Sequence, residues 1–146
     1  MTKAIVLFVA FAVLGAPPAA AQQSGSGYVV IANEANGVST LSADELSRVF
    51  LKKTRRWTNG LDVVPVDLSE SAPAREAFST AVHHKPVKAV HAYWQQQIFS
   101  GRDVPPVEKT SDEQVIALVL ATPGAIGYVS AGTSLTTGVR RVQVVP

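Results

Sequence analysis

The run Leu41-Ser42-Ala43-Asp44-Glu45-Leu46-Ser47-Arg48-Val49-Phe50 combines a helix start signal with an apolar stripe. Ser42 caps the helix and Glu45, three residues on, is placed to reach back to it, the pattern of a capping box. Leu46, Val49 and Phe50 fall at i, i+3 and i+4, so the helix has one face to bury. A helix of that kind must lie against a sheet or another helix. The basic stretch Lys52, Lys53, Arg55 and Arg56 leads to Trp57, and Asn59-Gly60 turns the chain into a strand over Leu61 to Val66. The polar loop Asp67-Leu68-Ser69-Glu70-Ser71 follows. A second helix is predicted from near Ser71, with Pro73 in its first turn and Ala74, Phe78, Ala81 and Val82 on its inner face.

Around this segment the chain keeps alternating between strand and helix patterns. Tyr28 to Ala32 is a continuous β-branched run that reads as a buried strand. His83-His84-Lys85 ends the second helix and Pro86 starts a third, which buries Val90, Tyr93 or Trp94, and Ile98, and stops at Gly101. Asp103 to Val107 reads as an extended connector. Ser111 with Gln114 forms a second capping box before a helix over Val115 to Ala121, and Thr122-Pro123-Gly124 breaks that helix. Ala125 to Val129 and Val139 to Val145 are the last two strands. The order β-α-β-α-α-α-β-β predicts a three-layer α/β/α domain on a small mixed or mostly parallel sheet.

The N-terminus bears on where such a domain works. Lys3 precedes the apolar stretch Ala4 to Gly15, Pro17 and Pro18 break it, and Ala19-Ala20-Ala21 offers a small-residue cleavage site. That stretch falls short of the roughly 20 residues a membrane span needs, so residues 1–21 are expected to be a cleaved signal peptide. Removing 21 of 146 residues leaves 125, enough for one domain, with residues 22–27 as a Gly/Ser/Gln linker and 28–146 as the folded unit. Without Lys3 the 13 basic residues become 12 against 11 acidic ones, a net charge of +1 that favours no particular partner. No second apolar segment is long enough for a membrane helix. A periplasmic or secreted protein without cysteine has to rest on its apolar core, and 47% apolar content allows that.

The loop after the second strand is the strongest candidate site. Ligands of open α/β sheets bind at the carboxyl ends of strands, and a helix start presents free N–H groups to an anion. Ser69, Ser71 and the Ala72 amide are the candidate donors, and Arg75, one turn into the helix, is the candidate cation. The competing reading makes Ser71 an ordinary N-cap and pairs Arg75 with Glu70 or Asp67 at the surface. The cluster from Lys52 to Arg56 reads as a solvated turn whose tryptophan packs inward, since export argues against nucleic acid. His83, His84 and His91 lack the spacing of metal ligands. No G-x-S-x-G elbow, P-loop or G-x-G-x-x-G occurs, so neither enzyme nor cofactor is expected.

The ordered motifs L-S-x-x-E-L-x-x-[IV]-F at Leu41 to Phe50, Trp57, V-P-V at Val64 to Val66, Ser71 before R-E-A-F at Arg75 to Phe78, and P-G-A-I-G-Y-V at Pro123 to Val129 resemble the substrate-binding proteins of phosphate ABC importers. That resemblance implies a type II periplasmic binding protein fold, of which this chain has residues for a single lobe. The family's Arg-x-x-x-Ser-Gly-Thr anion loop corresponds here to Asp67, Ser71, Ala72 and Pro73. Asp67 puts an anion where the family has a cation, and Pro73 removes a hydroxyl and an N–H donor. The implied function is binding or sensing of phosphate or another small oxyanion, linked to ABC-type uptake, with a second copy or another protein completing the site. The alternative is a ligand-free periplasmic interaction module that docks a transporter, a porin or a sensor.

Overall fold

The computed structural model describes residues 25–146. The expected signal peptide and the first linker residues lie outside the described residues. The end of the linker is held: the Gly27 carbonyl accepts a hydrogen bond from the Ala131 amide at 3.3 Å.

The first strand, β1, is Tyr28–Asn33, every residue buried. A 3-10 turn, Glu34–Asn36, leads to the short strand β2, Thr40–Ser42, and then to helix α1, Ala43–Phe50. The capping box expected there is present in both directions: Ser42 Oγ accepts from the Glu45 amide, and the Glu45 carboxylate accepts from the Ser42 amide at 2.8 Å. Leu46, Val49 and Phe50 are buried, as the stripe requires.

Strand β3 is Val64–Leu68, beginning three residues later than the sequence pattern suggests. The basic turn accounts for the shift. Trp57 N–H bonds the Leu61 carbonyl at 2.9 Å and Arg56 bridges Asp62, so Leu61 and Asp62 close that turn before the sheet begins. Helix α2 is Pro73–Phe78 and continues into a π-helical turn, Ser79–His83. Helix α3 is Val87–Phe99, strand β4 Val107–Lys109 and helix α4 Asp112–Ala121. Strands β5, Ala125–Ser130, β6, Val139–Arg141, and β7, Gln143–Val145, complete the chain.

Five strands form one sheet in the order β4-β3-β5-β1-β6. It is mixed: β3 runs parallel to β4 and β5, whereas β1 runs antiparallel to β5 and β6. Neighbouring residues of β5 show the three layers. Tyr128 meets Phe50 of α1 and stacks on Phe78 of α2 at 3.9 Å between ring centroids. Gly127, whose side of the strand is the opposite one, faces Val115 and Val119 of α4. A β-carbon at Gly127 would lie 2.8 Å from Val115 Cγ1, so the glycine is what lets α4 approach this closely.

Several sequence expectations need correction. β2 and β7 form a separate parallel pair, Thr40 opposite Gln143, so the predicted last strand is two strands serving two sheets. The expected connector ends in strand β4 at the sheet edge. Ala81 is exposed, because the π turn rotates it off the face that carries Ala74 and Phe78. Ile98 is 53% exposed, since α3 runs past the body of the lobe after burying Val90 and Trp94. The second capping box is half made: Ser111 accepts from the Gln114 amide, but the Gln114 side chain turns to Thr110 instead.

Candidate functional site

Strand β3 delivers Asp67 and Leu68 to the edge of the core, and the chain then turns through Ser69–Ala72 before α2. The turn is closed by the Ala72 amide on the Ser69 carbonyl at 3.0 Å, and Ser69 N–H reaches the Lys109 carbonyl at 2.9 Å. Ser71 is not the N-cap. Ala72 occupies that position without a side-chain bond, and Pro73 is the first helical residue, as suits its fixed φ. The hydroxyls of Ser69 and Ser71 lie 3.5 Å apart on the exposed side of the loop. The two serine hydroxyls are therefore together, but the Ala72 amide is already used within the turn.

Arg75 points inward rather than into solvent. Its Nη1 lies 2.6 Å from Asp67 Oδ1 and donates to the Leu68 carbonyl at 2.7 Å. Both members of the pair are 5% exposed. Of the two acidic partners open from the sequence, Asp67 is the one used, and the pair is buried where a surface one was expected. Tyr128 donates its hydroxyl to the same Asp67 oxygen, and the Leu68 amide adds a bond at 3.1 Å. Burial nevertheless dominates the carboxyl and pushes its pKa up to about 6, against the pull of Arg75, Tyr128 and the Leu68 amide. Tyr128 is raised too, first by burial and then by the Asp67 charge.

Asp67 thus does not confront the loop as a bare negative charge, because Arg75 is set against it. What remains of the guanidinium borders a cavity of about 290 Å³ between the loop, α3 and β4. Glu70, His91 and Glu108 line that cavity with Arg75; His91 contacts Glu70, and Glu108 approaches Arg75 Nη1 at 4.0 Å. Tyr128 is the participant that sequence reasoning did not assign. Its signal was there, since a tyrosine inside a buried strand needs a partner for its hydroxyl.

The basic turn behaves as expected. Trp57 is buried and donates its indole N–H to the Gly124 carbonyl at 2.8 Å, while Arg55 pairs with Asp103 at 2.8 Å. His83 Nδ1 lies 2.8 Å from Ser47 Oγ, and burial, then the charges of Arg75, His84 and Lys85, lower its pKa to about 4.

Asp67 and His83 should oppose each other in the pH dependence of stability. The folded carboxyl, at about 6 against a usual 3.8, holds a proton that the unfolded chain has already lost. Its contribution is full at low pH and declines as pH rises towards 6. The folded His83, at about 4 against a usual 6.5, excludes a proton that the unfolded chain holds. Its contribution is full at high pH and declines as pH falls towards 4. The wild type should be nearly flat across that window. His83→Gln should lose on the order of 2 kcal/mol as pH rises through it, and Asp67→Asn should gain a similar amount. Urea midpoints measured at both ends of the window check this, and parallel slopes in all three proteins would refute it.

No protein-family model matches the chain, and no curated protein does. Solved structures do. An ABC-type phosphate transport receptor from Vibrio cholerae superposes with a TM-score of 0.62 at 19% identity, covering 81% of this chain and 46% of the receptor. A candidate phosphate ABC transporter substrate-binding protein from Clostridium perfringens, solved with bound phosphate, gives 0.62 at 22% identity over 81% and 44%. PstS from Borrelia burgdorferi gives 0.54 at 12% identity over 81% and 47%. The chain has the fold of a phosphate-receptor lobe. It spans less than half the length of each of these proteins.

Proposed function

We propose that this protein is an extracytoplasmic, single-lobe relative of the phosphate receptors that binds or senses phosphate or a similar small oxyanion and catalyses no reaction. The observation that carries this reading is the pair of hydroxyls, Ser69 and Ser71, 3.5 Å apart at the carboxyl end of β3 in a lobe of receptor fold. The amides of Glu70 and Ser71 have no backbone acceptor among the described residues and add donors to the same loop. Arg75, balanced by Asp67, supplies only part of a positive charge. The lobe alone should therefore bind weakly, with a second copy or another protein closing the open side. Export through residues 1–21 and a link to ABC-type uptake belong to the same reading. None of the helices among the described residues is long and apolar enough to cross a membrane.

Calorimetric titration with phosphate, sulfate and arsenate tests it. A dissociation constant on the order of 1 mM is expected for at least one of them, with the heat lost in the Ser69→Ala/Ser71→Ala variant. No heat with any of the three rejects the ligand reading. One set of observations favours the alternative, an interaction module docking a transporter, porin or sensor: the Ala72 amide and Arg75 are committed inside the lobe and Pro73 has no N–H. A crosslinked protein partner retained unchanged by the double serine variant would support that alternative.

A further inference from the structure

A second cavity lies away from this loop, between the end of α1, the π-helical turn and the first half of α3. Its volume is about 400 Å³, within the range that holds small organic molecules. Leu51, Val90 and Tyr93 supply apolar wall, Ser47 and His83 meet on one side, and Lys53 and Lys85 contribute to the lining. Neither lysine has a carboxylate within ion-pair distance among the described residues. The His83 ring is neutral over most of the pH range, since burial and the charges of Arg75, His84 and Lys85 disfavour a proton on it. The surroundings are therefore apolar, rich in cations and without an internal counter-ion.

The backbone is irregular at the same place. Lys52 and His84, with φ of 55° and 53°, are the only non-glycine described residues with positive φ. Each directly precedes one of the two lining lysines. Both end helical segments, where glycine is the usual residue because a side chain is strained there. The π turn, a feature frequent at functional sites, carries His83 into the cavity. Both positive-φ residues are helix-end caps, with Lys53 N–H bonding the Arg48 carbonyl at 2.8 Å and Lys85 N–H the Ser79 carbonyl at 3.4 Å, and they fix where the two lysines leave the backbone at the cavity.

We propose that this cavity is a binding site for a small organic monoanion with an apolar body, such as an aryl or short-chain alkyl carboxylate. The carboxylate sits between Lys53 and Lys85, and the body lies along Leu51, Val90 and Tyr93. Inorganic phosphate does not suit it, because a compact hydrated anion leaves the apolar wall uncovered. The site is separate from the Ser69–Ser71 loop, so either can fail without the other.

The experiment is a titration of the protein with 4-phenylbutyrate, followed by amide and histidine-ring NMR signals, with neutral 4-phenylbutanol and inorganic phosphate as comparisons. Shifts are expected at Ser47, His83 and Tyr93 with the carboxylate, and binding of the alcohol should be about fivefold weaker or worse. Lys53→Ala/Lys85→Ala should weaken the carboxylate about five- to tenfold. Both lysines are exposed, so the fold should persist, as unchanged signals elsewhere would show. Ala89→Trp, which fills the cavity from α3, should abolish binding. The proposal is overturned by absence of shifts at about 10 mM probe, by equal binding of the alcohol, by indifference to the lysine changes, or by phosphate producing the same shifts.

Discussion

Arg75→Met is expected to destabilise the protein by about 3–5 kcal/mol, because it removes the only cation within 4 Å of a buried carboxylate among the described residues. Asp67 would keep the Tyr128 hydroxyl and the Leu68 amide, but those dipoles do not cancel a charge that is 5% exposed. The carboxyl should respond by taking up a proton, so the loss should be larger at neutral pH than in acid. Asp67→Asn in the same background removes the stranded charge and leaves Tyr128 an amide oxygen to donate to. The double variant should recover to within about 2 kcal/mol of wild type, the residue being the lost bond to the Leu68 carbonyl. Urea denaturation of the two singles and the double gives the coupling directly. If the double variant is as unstable as the sum of the singles, the pair is not what holds this corner together. The same expectation explains why serine variants, and not Arg75 variants, are the right probes of ligand binding.

Gly124→Ala should be comparably severe for a different reason. An added β-carbon would stand 1.8 Å from the Asp62 carbonyl oxygen and 3.0 Å from its carbon, a clash with backbone that no rotamer change relieves. The strands' entry would have to move, and two bonds move with it: Trp57 Nε1 and Val64 N–H both donate to the Gly124 carbonyl, at 2.8 and 3.1 Å. A loss of at least about 3 kcal/mol is expected, which for a domain of this size lowers the thermal midpoint by on the order of 10 °C. Gly132→Ala is the control. It has positive φ of 84° but nothing within 4 Å, so only conformational strain is at stake and about 1 kcal/mol should be lost. Equal losses at the two positions would mean that the clash is absorbed cheaply and that the Trp57–Gly124 contact is not a fixed point of the fold.

Sequence signals are legible where the physics is local. The Ser42–Glu45 box and the Leu46, Val49, Phe50 stripe depend on residues within two turns of one another, and they appear as expected. Helix α2 starts at Pro73, within the first turn expected near Ser71, and the cap falls on Ala72 because Pro73 suits the first helical position. Ile98 keeps the helical period yet stays half exposed, since period reports a face and not what covers it. The pairing of β2 with β7 joins three-residue segments about a hundred positions apart, with no motif in either to announce it.

At the loop the division is sharper. The sequence by itself determined that an acidic residue follows the apolar run ending at Val66, that two serines come after it, and that an arginine stands four residues beyond the second serine. It left Asp67 and Glu70 as equal claimants for that arginine, and it set no value on Tyr128, 61 positions from Asp67. The tertiary structure decided the matter through register. With Val66 opposite Gly127, β5 places Tyr128 beside Asp67, and α2 packs Phe78 onto the same ring. Coulomb attraction strengthens as water is excluded, so the carboxylate that this packing buries takes the arginine, and the one left in solvent does not.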